Sequence, residues 1–154
     1  VNELVLITAS VEDTTALGAR IGAVLQAGDF VSLEGPLGAG KTRLAEGIAR
    51  GLGVDAAQRI PSPSFTLVNE HQGRVPLIHT DFYRLESADE LEGLGWRDLL
   101  EREAVVVVEW LSMVGKAHAP ADRLEVEVEH LGARRRVILR AMGPRASARL
   151  DALR

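Results

Sequence analysis

The chain has 154 residues, 46% of them hydrophobic, a formal net charge of −4 and no cysteine. That length suits one domain, 1–154, with enough apolar mass for a single core. The composition excludes disulfides and thiolate metal sites, offers no apolar run near the roughly 18 residues a membrane span requires, and lacks the basic surplus of a chain that holds nucleic acid unaided.

The opening residues carry no charged segment followed by a long apolar one, so no leader is expected. We expect a cytoplasmic location with no membrane partner, which the lack of cysteine fits. Residues 3–8 read as a short strand. Ser10, followed by Asp13, resembles a capping box. Behind it Val11, Leu17, Ile21, Val24 and Leu25 fall near helical spacing, which predicts a helix over 11–26. Gly28 and Asp29 turn the chain into a strand over 30–34, and a glycine-rich loop follows at once. Leu44, Ile48 and Leu52 share one stripe, so a helix is expected over 41–52, stopped by Gly53. Pro61 and Pro63 then forbid helix and mark a loop.

Residues 65–70 and 75–80 read as two strands joined by a turn at Gly73. Short helices are expected over 87–94 and 96–101, around Gly95, with Trp96 as a packing anchor. The β-branched run ending at Val108 has the pattern of a strand buried on both faces. Residues 124–129 alternate apolar with acidic, and 136–141 supply a hairpin partner across Gly132. Residues 144–153 close as a helix. Early strand–helix–strand alternation with a late hairpin argues for an α/β, three-layer fold with a mixed parallel and antiparallel sheet.

The segment Gly35-Pro36-Leu37-Gly38-Ala39-Gly40-Lys41-Thr42 fits G-x-x-x-x-G-K-[ST] without mismatch. A tight loop aims successive backbone N–H groups at phosphate oxygens, and glycine keeps side chains out of that approach. The helix that follows brings its positive N-terminal end to the phosphates. Lys41 reaches the β- and γ-phosphates as a point charge, and Thr42 offers a hydroxyl to Mg²⁺. The strand before and the helix after are the context this motif requires. ATP and Mg²⁺ are the expected ligands, with Lys41 also in a catalytic role.

Such a loop works with a carboxylate at the end of a neighbouring strand. Asp81 and Glu109 both end predicted strands, at the edge where open α/β sheets bind ligands. Four valines before Glu109 resemble a Walker B strand, which favours Glu109 as the metal ligand and Asp81 beside the γ-phosphate, polarising water. The reverse assignment stays open to the sequence. Glu34 is read as structural. His71, His79, His118 and His130 have no metal-ligand spacing and are read as structural or exposed.

Three further segments join the loop in a recognisable set: Ser62-Pro63-Ser64-Phe65-Thr66-Leu67-Val68, His79-Thr80-Asp81-Phe82-Tyr83-Arg84-Leu85 and Val108-Glu109-Trp110. Together they resemble the bacterial tRNA threonylcarbamoyladenosine-biosynthesis ATPase family, TsaE (formerly YjeE). The resemblance is collinear over residues 17–136 and implies a P-loop NTPase-like fold. It implies ATP contacts at Gly35, Leu37, Gly38, Ala39, Gly40, Lys41 and Thr42, metal contacts at Thr42 and Glu109, and a hydrolytic role for Asp81. It implies a switch near the γ-phosphate at Ser62, Ser64 and Thr66, and a nucleotide-contacting arginine, for which Arg134 is the nearest match. It places a polar residue between Ser10 and Thr14 near the base. Trp110, beside the candidate metal carboxylate, is read either as a core aromatic or in a site-wall or partner role. Leu111 and Ser112 depart from the family's usual residues after Glu-Trp. The implied function is ATP hydrolysis on a complex of TsaD and TsaB that modifies ANN-reading tRNAs, with tRNA met only indirectly. The competing readings are a small-molecule kinase, which would require an arginine-bearing lid at 86–103, and a nucleotide switch with incidental hydrolysis.

Overall fold

The computed structural model describes residues 2–55 and 68–154. In chain order they form β1 (Asn2–Thr8), α1 (Val11–Val24), β2 (Phe30–Glu34), α2 (Lys41–Gly51), β3 (Val68–His71), β4 (Leu77–Asp81), α3 (Glu90–Gly93), α4 (Trp96–Leu100), β5 (Val105–Glu109), β6 (Arg123–Leu131), β7 (Arg134–Met142) and α5 (Pro144–Ala152). Single 3-10 turns at Leu111–Met113 and Lys116–His118 bridge β5 to β6. The seven strands make one sheet in the order β1-β7-β6-β2-β5-β4-β3. Its centre, β6-β2-β5-β4, is parallel. Both flanks turn antiparallel, at β6–β7–β1 on one side and β4–β3 on the other.

Strand alternation divides the core in two. Val31, Leu33, Leu77, Val105 and Val107 pack against α1, α2 and α5. Phe30, Ile78, Val106 and Val108 face the other way, onto Trp96 and Phe82. Trp96 meets Phe82 edge-to-face at 5.1 Å and Phe30 at 6.1 Å. Its indole N–H donates to the His118 carbonyl at 2.7 Å, so a large buried ring leaves no polar atom unpaired. The anchor role expected of Trp96 is the one it has. This second helical layer covers the centre of the sheet and leaves the outer flank open: Val5 and Ile7 on β1 are 47% and 48% exposed.

The α1–α2 crossing sets the position of the glycine loop. A Cβ on Gly18 would stand 2.5 Å from the Leu44 carbonyl oxygen, and one on Gly47 would stand 2.1 Å from that of Thr15. No side chain fits between these backbones, so the two helices touch main chain to main chain. Ser10 caps α1 through Asp13 N, as its sequence pattern predicts. The first helix ends two residues before the predicted Gln26, because the chain there is drawn into extended backbone at Leu25. The helix expected over 87–94 shrinks to Glu90–Gly93. The late hairpin is longer and tighter than predicted: Leu131 pairs with Arg134 across a two-residue turn, with Gly132 at φ 61°. At the other end, Asp122 accepts from the backbone N–H groups of Arg145 and Ala146 and so starts α5. Asp29, buried under α5, binds Arg149 at 2.6 Å and fixes that helix to the start of β2.

Candidate nucleotide site

Strand β2 runs out at Glu34 directly into the glycine loop, and α2 begins at Lys41. Gly38 and Gly40 adopt φ of 76° and 113°, which glycine alone enters without strain. Gly40 is the N-cap residue of α2 and brings no side-chain cap. The first amides of α2 therefore turn toward solvent-filled space with their partial positive charge uncompensated by the protein. That space is a cleft of about 440 Å³. Leu37 through Arg43 form its floor, Asp81, Glu109 and Trp110 one wall, and Thr8, Ser10, Val11, Thr14, Ala133 and Arg135 the other.

The two carboxylates arrive together because β4 and β5 are parallel and in register, with Asp81 opposite Glu109. Both are buried. Asp81 Oδ1 accepts from the Tyr83 backbone N–H at 2.8 Å. Glu109 Oε2 lies 2.6 Å from His79 Nε2. Burial pushes the Asp81 carboxyl above its ordinary value, and the Glu109 charge beside it adds to the rise. The Tyr83 hydrogen bond, His79 and Lys41 oppose it.

Lys41 Nζ donates to the carbonyl oxygens of Gly35 at 2.6 Å and Pro36 at 2.9 Å. It also lies 4.5 Å from the centre of the Trp110 ring. Burial lowers the pKa of its ammonium, against the pull of Glu109, Glu34 and Asp81. Trp110 holds φ of 62°, the one non-glycine residue with positive φ among those described. Bulky residues enter that region only under constraint. The constraint is visible on both sides: Trp110 N–H donates to Leu33 O at 3.3 Å, and Glu34 accepts from Ser112 N and Oγ at 3.2 and 2.8 Å. Tyr83 packs on the Trp110 ring at 4.9 Å. Glu34, read from sequence as structural, braces the turn that sets Trp110 over Lys41.

Of the residues expected at the site, Leu37, Gly38, Ala39, Gly40, Lys41, Thr42, Asp81, Glu109 and Trp110 line one cleft, as do Ser10 and Thr14. Ser62, Ser64 and Thr66 lie outside the described residues. Arg134 does not line the cleft; Arg135 does. The two-residue turn starts β7 at Arg134, so alternation sends Arg135 to the cleft side, opposite Thr8. Arg134 is exposed, and Arg136 pairs with Glu129 away from the cleft. Arg135 Nε donates to the Ala39 carbonyl of the loop at 3.1 Å. Thr8 and Thr14 share a hydrogen bond of 2.8 Å on the same wall. No residue of 86–103 lines the cleft, and Trp96 holds that segment on the opposite face of the sheet. His79, read from sequence as structural or exposed, is buried beside Glu109. The signal was present, since His79 and Asp81 sit two apart on one strand and share its face.

The family profile described as "Threonylcarbamoyl adenosine biosynthesis protein TsaE" matches residues 8–138. The tRNA threonylcarbamoyladenosine biosynthesis protein TsaE of Bacillus subtilis is 37% identical over 126 residues, covering 81% of this chain and 77% of that protein. The protein of that name from Mycobacterium tuberculosis H37Rv is 52% identical over 110 residues, covering 65% of this chain and 64% of that protein. The crystal structure of Bacillus subtilis YdiB superposes with a TM-score of 0.85 at 32% identity, covering 99% of this chain and 94% of that one.

Proposed function

The chain belongs to the TsaE family of threonylcarbamoyl adenosine biosynthesis proteins, and from that premise we propose that it is the ATP-binding and ATP-hydrolysing subunit of tRNA threonylcarbamoyladenosine formation. Its partners in this reading are TsaD- and TsaB-like proteins, and it meets tRNA only through them. The observation that carries the reading is convergence. An uncapped helix N-terminus behind left-handed glycines, one lysine and two carboxylates share a single cleft. Each takes one part of a triphosphate: backbone N–H groups the β-phosphate, Lys41 the outer phosphates, the carboxylates a metal ion and water.

The donor set fits Mg²⁺. The available groups are hard oxygens, from Thr42, Asp81 and Glu109. Among the described residues no cluster of three or more His, Cys, Asp or Glu could cage a metal. A cation that takes one or two carboxylates and completes its shell with phosphate and water matches that set. When bound, Mg²⁺ neutralises charge on the phosphate oxygens. Thr42 and Glu109 are the residues that would hold it.

The chain's own groups do the rest. Lys41 exchanges two neutral carbonyl acceptors for phosphate oxygens, and the charged acceptor makes the stronger bond. Trp110 keeps the ammonium near the loop without competing for its protons, since a ring face attracts a cation but accepts no strong hydrogen bond. Asp81 keeps one oxygen tied to Tyr83 N–H and turns the other to water. Its raised pKa makes it a better base than an ordinary surface aspartate. Arg135 braces the loop at Ala39 and takes the place beside the nucleotide that the family's arginine occupies. The wall of Thr8, Ser10 and Thr14 borders the base and ribose end.

Among the described residues, no arginine in the cleft other than Arg135 and Arg43 is placed to stabilise charge developing on the γ-phosphate, so turnover by the chain alone is slow. The test is steady-state ATP hydrolysis by the purified chain, with and without TsaD and TsaB of the same organism. Stimulation by more than about tenfold is expected if partners complete the site, as arginine-supplying partners do for other P-loop proteins. No hydrolysis in either condition, or transfer of phosphate to a small acceptor, would contradict the assignment.

A further inference from the structure

Buried groups outside the immediate cleft include a histidine whose single hydrogen bond goes to a proposed metal ligand. His79 is 1% exposed and Glu109 4% at their side chains, and His79 Nε2 lies 2.6 Å from Glu109 Oε2. His79 Nδ1 has no hydrogen-bond partner among the described residues. A core position on β4 facing α2 would pack equally well with leucine, and leucine would leave no buried nitrogen unpaired. The imidazole therefore needs an explanation beyond filling space.

Glu109 supplies one. A buried carboxylate must be compensated; Lys41 attracts it through space but gives its hydrogen bonds to Gly35 and Pro36. We propose that His79 is a positioning residue for Glu109: its Nε2–H holds one carboxylate oxygen so that the other is presented, in a fixed orientation, to the cation of the nucleotide. This rests on the ATP–Mg²⁺ reading above. A carboxylate can only accept, so Nε2 carries the proton of this hydrogen bond, and Nδ1 is left without a partner among the described residues. The backbone of Glu109 is already pinned between β2 and β4, and Glu109 O accepts from Phe82 N at 2.9 Å. Only the side-chain torsions remain to be set, and His79 sets them. Mg²⁺ demands near-ideal octahedral geometry, so a pre-oriented oxygen binds it better than a freely rotating one.

The experiment is a Mg²⁺ titration of ATP binding to the intact chain, followed calorimetrically, in wild type, His79→Asn and His79→Gln. A glutamine amide reaches the position of Nε2; an asparagine amide stops at that of Nδ1. His79→Asn should raise the Mg²⁺ midpoint about tenfold, the lower end of what loss of a supporting partner does to metal sites, with ATP affinity in EDTA unchanged. His79→Gln should restore most of that loss. In a Glu109→Gln background, His79→Asn should add nothing. A second readout needs no variant: nitrogen-15 NMR of the unliganded wild type should show the Nε2–H tautomer.

An unmoved midpoint in His79→Asn, failure of His79→Gln to rescue, additive effects with Glu109→Gln, or an Nδ1–H tautomer each overturn the proposal. A wild type whose ATP binding ignores Mg²⁺ sinks the ATPase reading along with it. A Mg²⁺-dependent wild type with indifferent His79 variants sinks this proposal alone.

Discussion

Strands β4 and β5 share an apolar stretch of Leu77, Val105 and Val107 on the α2 side, and past it their two faces differ in content. Toward α2 they present His79, Asp81 and Glu109, all ionisable and buried, at the edge of the phosphate loop. Toward α4 they present Ile78, Val106 and Val108, packed on Phe82 and Trp96. The same backbone, in the same register, thus delivers chemistry to one side and anchorage to the other. Charged groups on the first side cost stability; aromatic burial on the second offsets that cost. A site that must hold two carboxylates near a lysine is built on a strand pair whose reverse face, Thr80 apart, is apolar.

The division can be broken by variants that touch one face and not the other. On the chemical face, Asp81→Asn should reduce partner-stimulated turnover by about 10²–10⁴-fold, the range for loss of a positioned base, while ATP affinity is kept. Equal turnover would remove Asp81 from the hydrolytic step. On the anchoring face, Trp96→Ala should lower unfolding free energy by about 3–5 kcal/mol. Urea unfolding measures it, and ATP affinity of the folded fraction should stay as in wild type. Loss of affinity in step with stability would show that the two faces are not separable.

Gly47→Ala tests the crossing that sets the loop against β1 and β7. Alanine gains helix propensity, but its methyl would meet the Thr15 carbonyl at 2.1 Å. The clash wins, and a loss of about 1–3 kcal/mol is expected in the same unfolding assay. A neutral or stabilised variant would mean that α1 and α2 can separate without cost.

The smallest effect concerns charge. Burial raises the folded-state pKa of Asp81 above its ordinary 3.8. A carboxyl so raised supports the fold fully below its unfolded pKa, and that support is lost as pH rises through the folded value. At neutral pH the ionised Asp81 is therefore a burden, and Asp81→Asn should melt slightly higher than wild type. The advantage should vanish in acid below the ordinary carboxyl pKa. Thermal midpoints at pH 7 and pH 3 check the sign; a lower midpoint at pH 7 would contradict it.

Much of this was readable in the chain before folding. The loop Gly35–Thr42, the strand before it and the helix after it follow from glycine spacing and periodicity. Asp81 and Glu109 were legible as strand ends, and Trp96 as an anchor. What stayed hidden depended on register. Arg135 rather than Arg134 lines the cleft because a two-residue turn sets the phase of β7, and one residue of phase moves every side chain to the other face. His79 was read as structural because its partner, Glu109, is distant in sequence and adjacent only through parallel pairing. The support of Glu34 for the Trp110 turn is likewise a contact across 78 positions. Local pattern carries the motif; the groups that brace it come from tertiary pairing.

The most direct measurement is ATP binding in the presence of Mg²⁺, by calorimetry, on the intact wild type and on Lys41→Ala. The account predicts saturable binding by the wild type, and a loss of about 30-fold or more in the variant, from removal of charge-assisted contacts worth at least about 2 kcal/mol. Its folded state should be preserved, since Lys41 lines the cleft and is not within either hydrophobic cluster. Undiminished binding by Lys41→Ala, or no binding by the wild type even with the proposed TsaD- and TsaB-like proteins added, would contradict the claim that this cleft holds a nucleoside triphosphate.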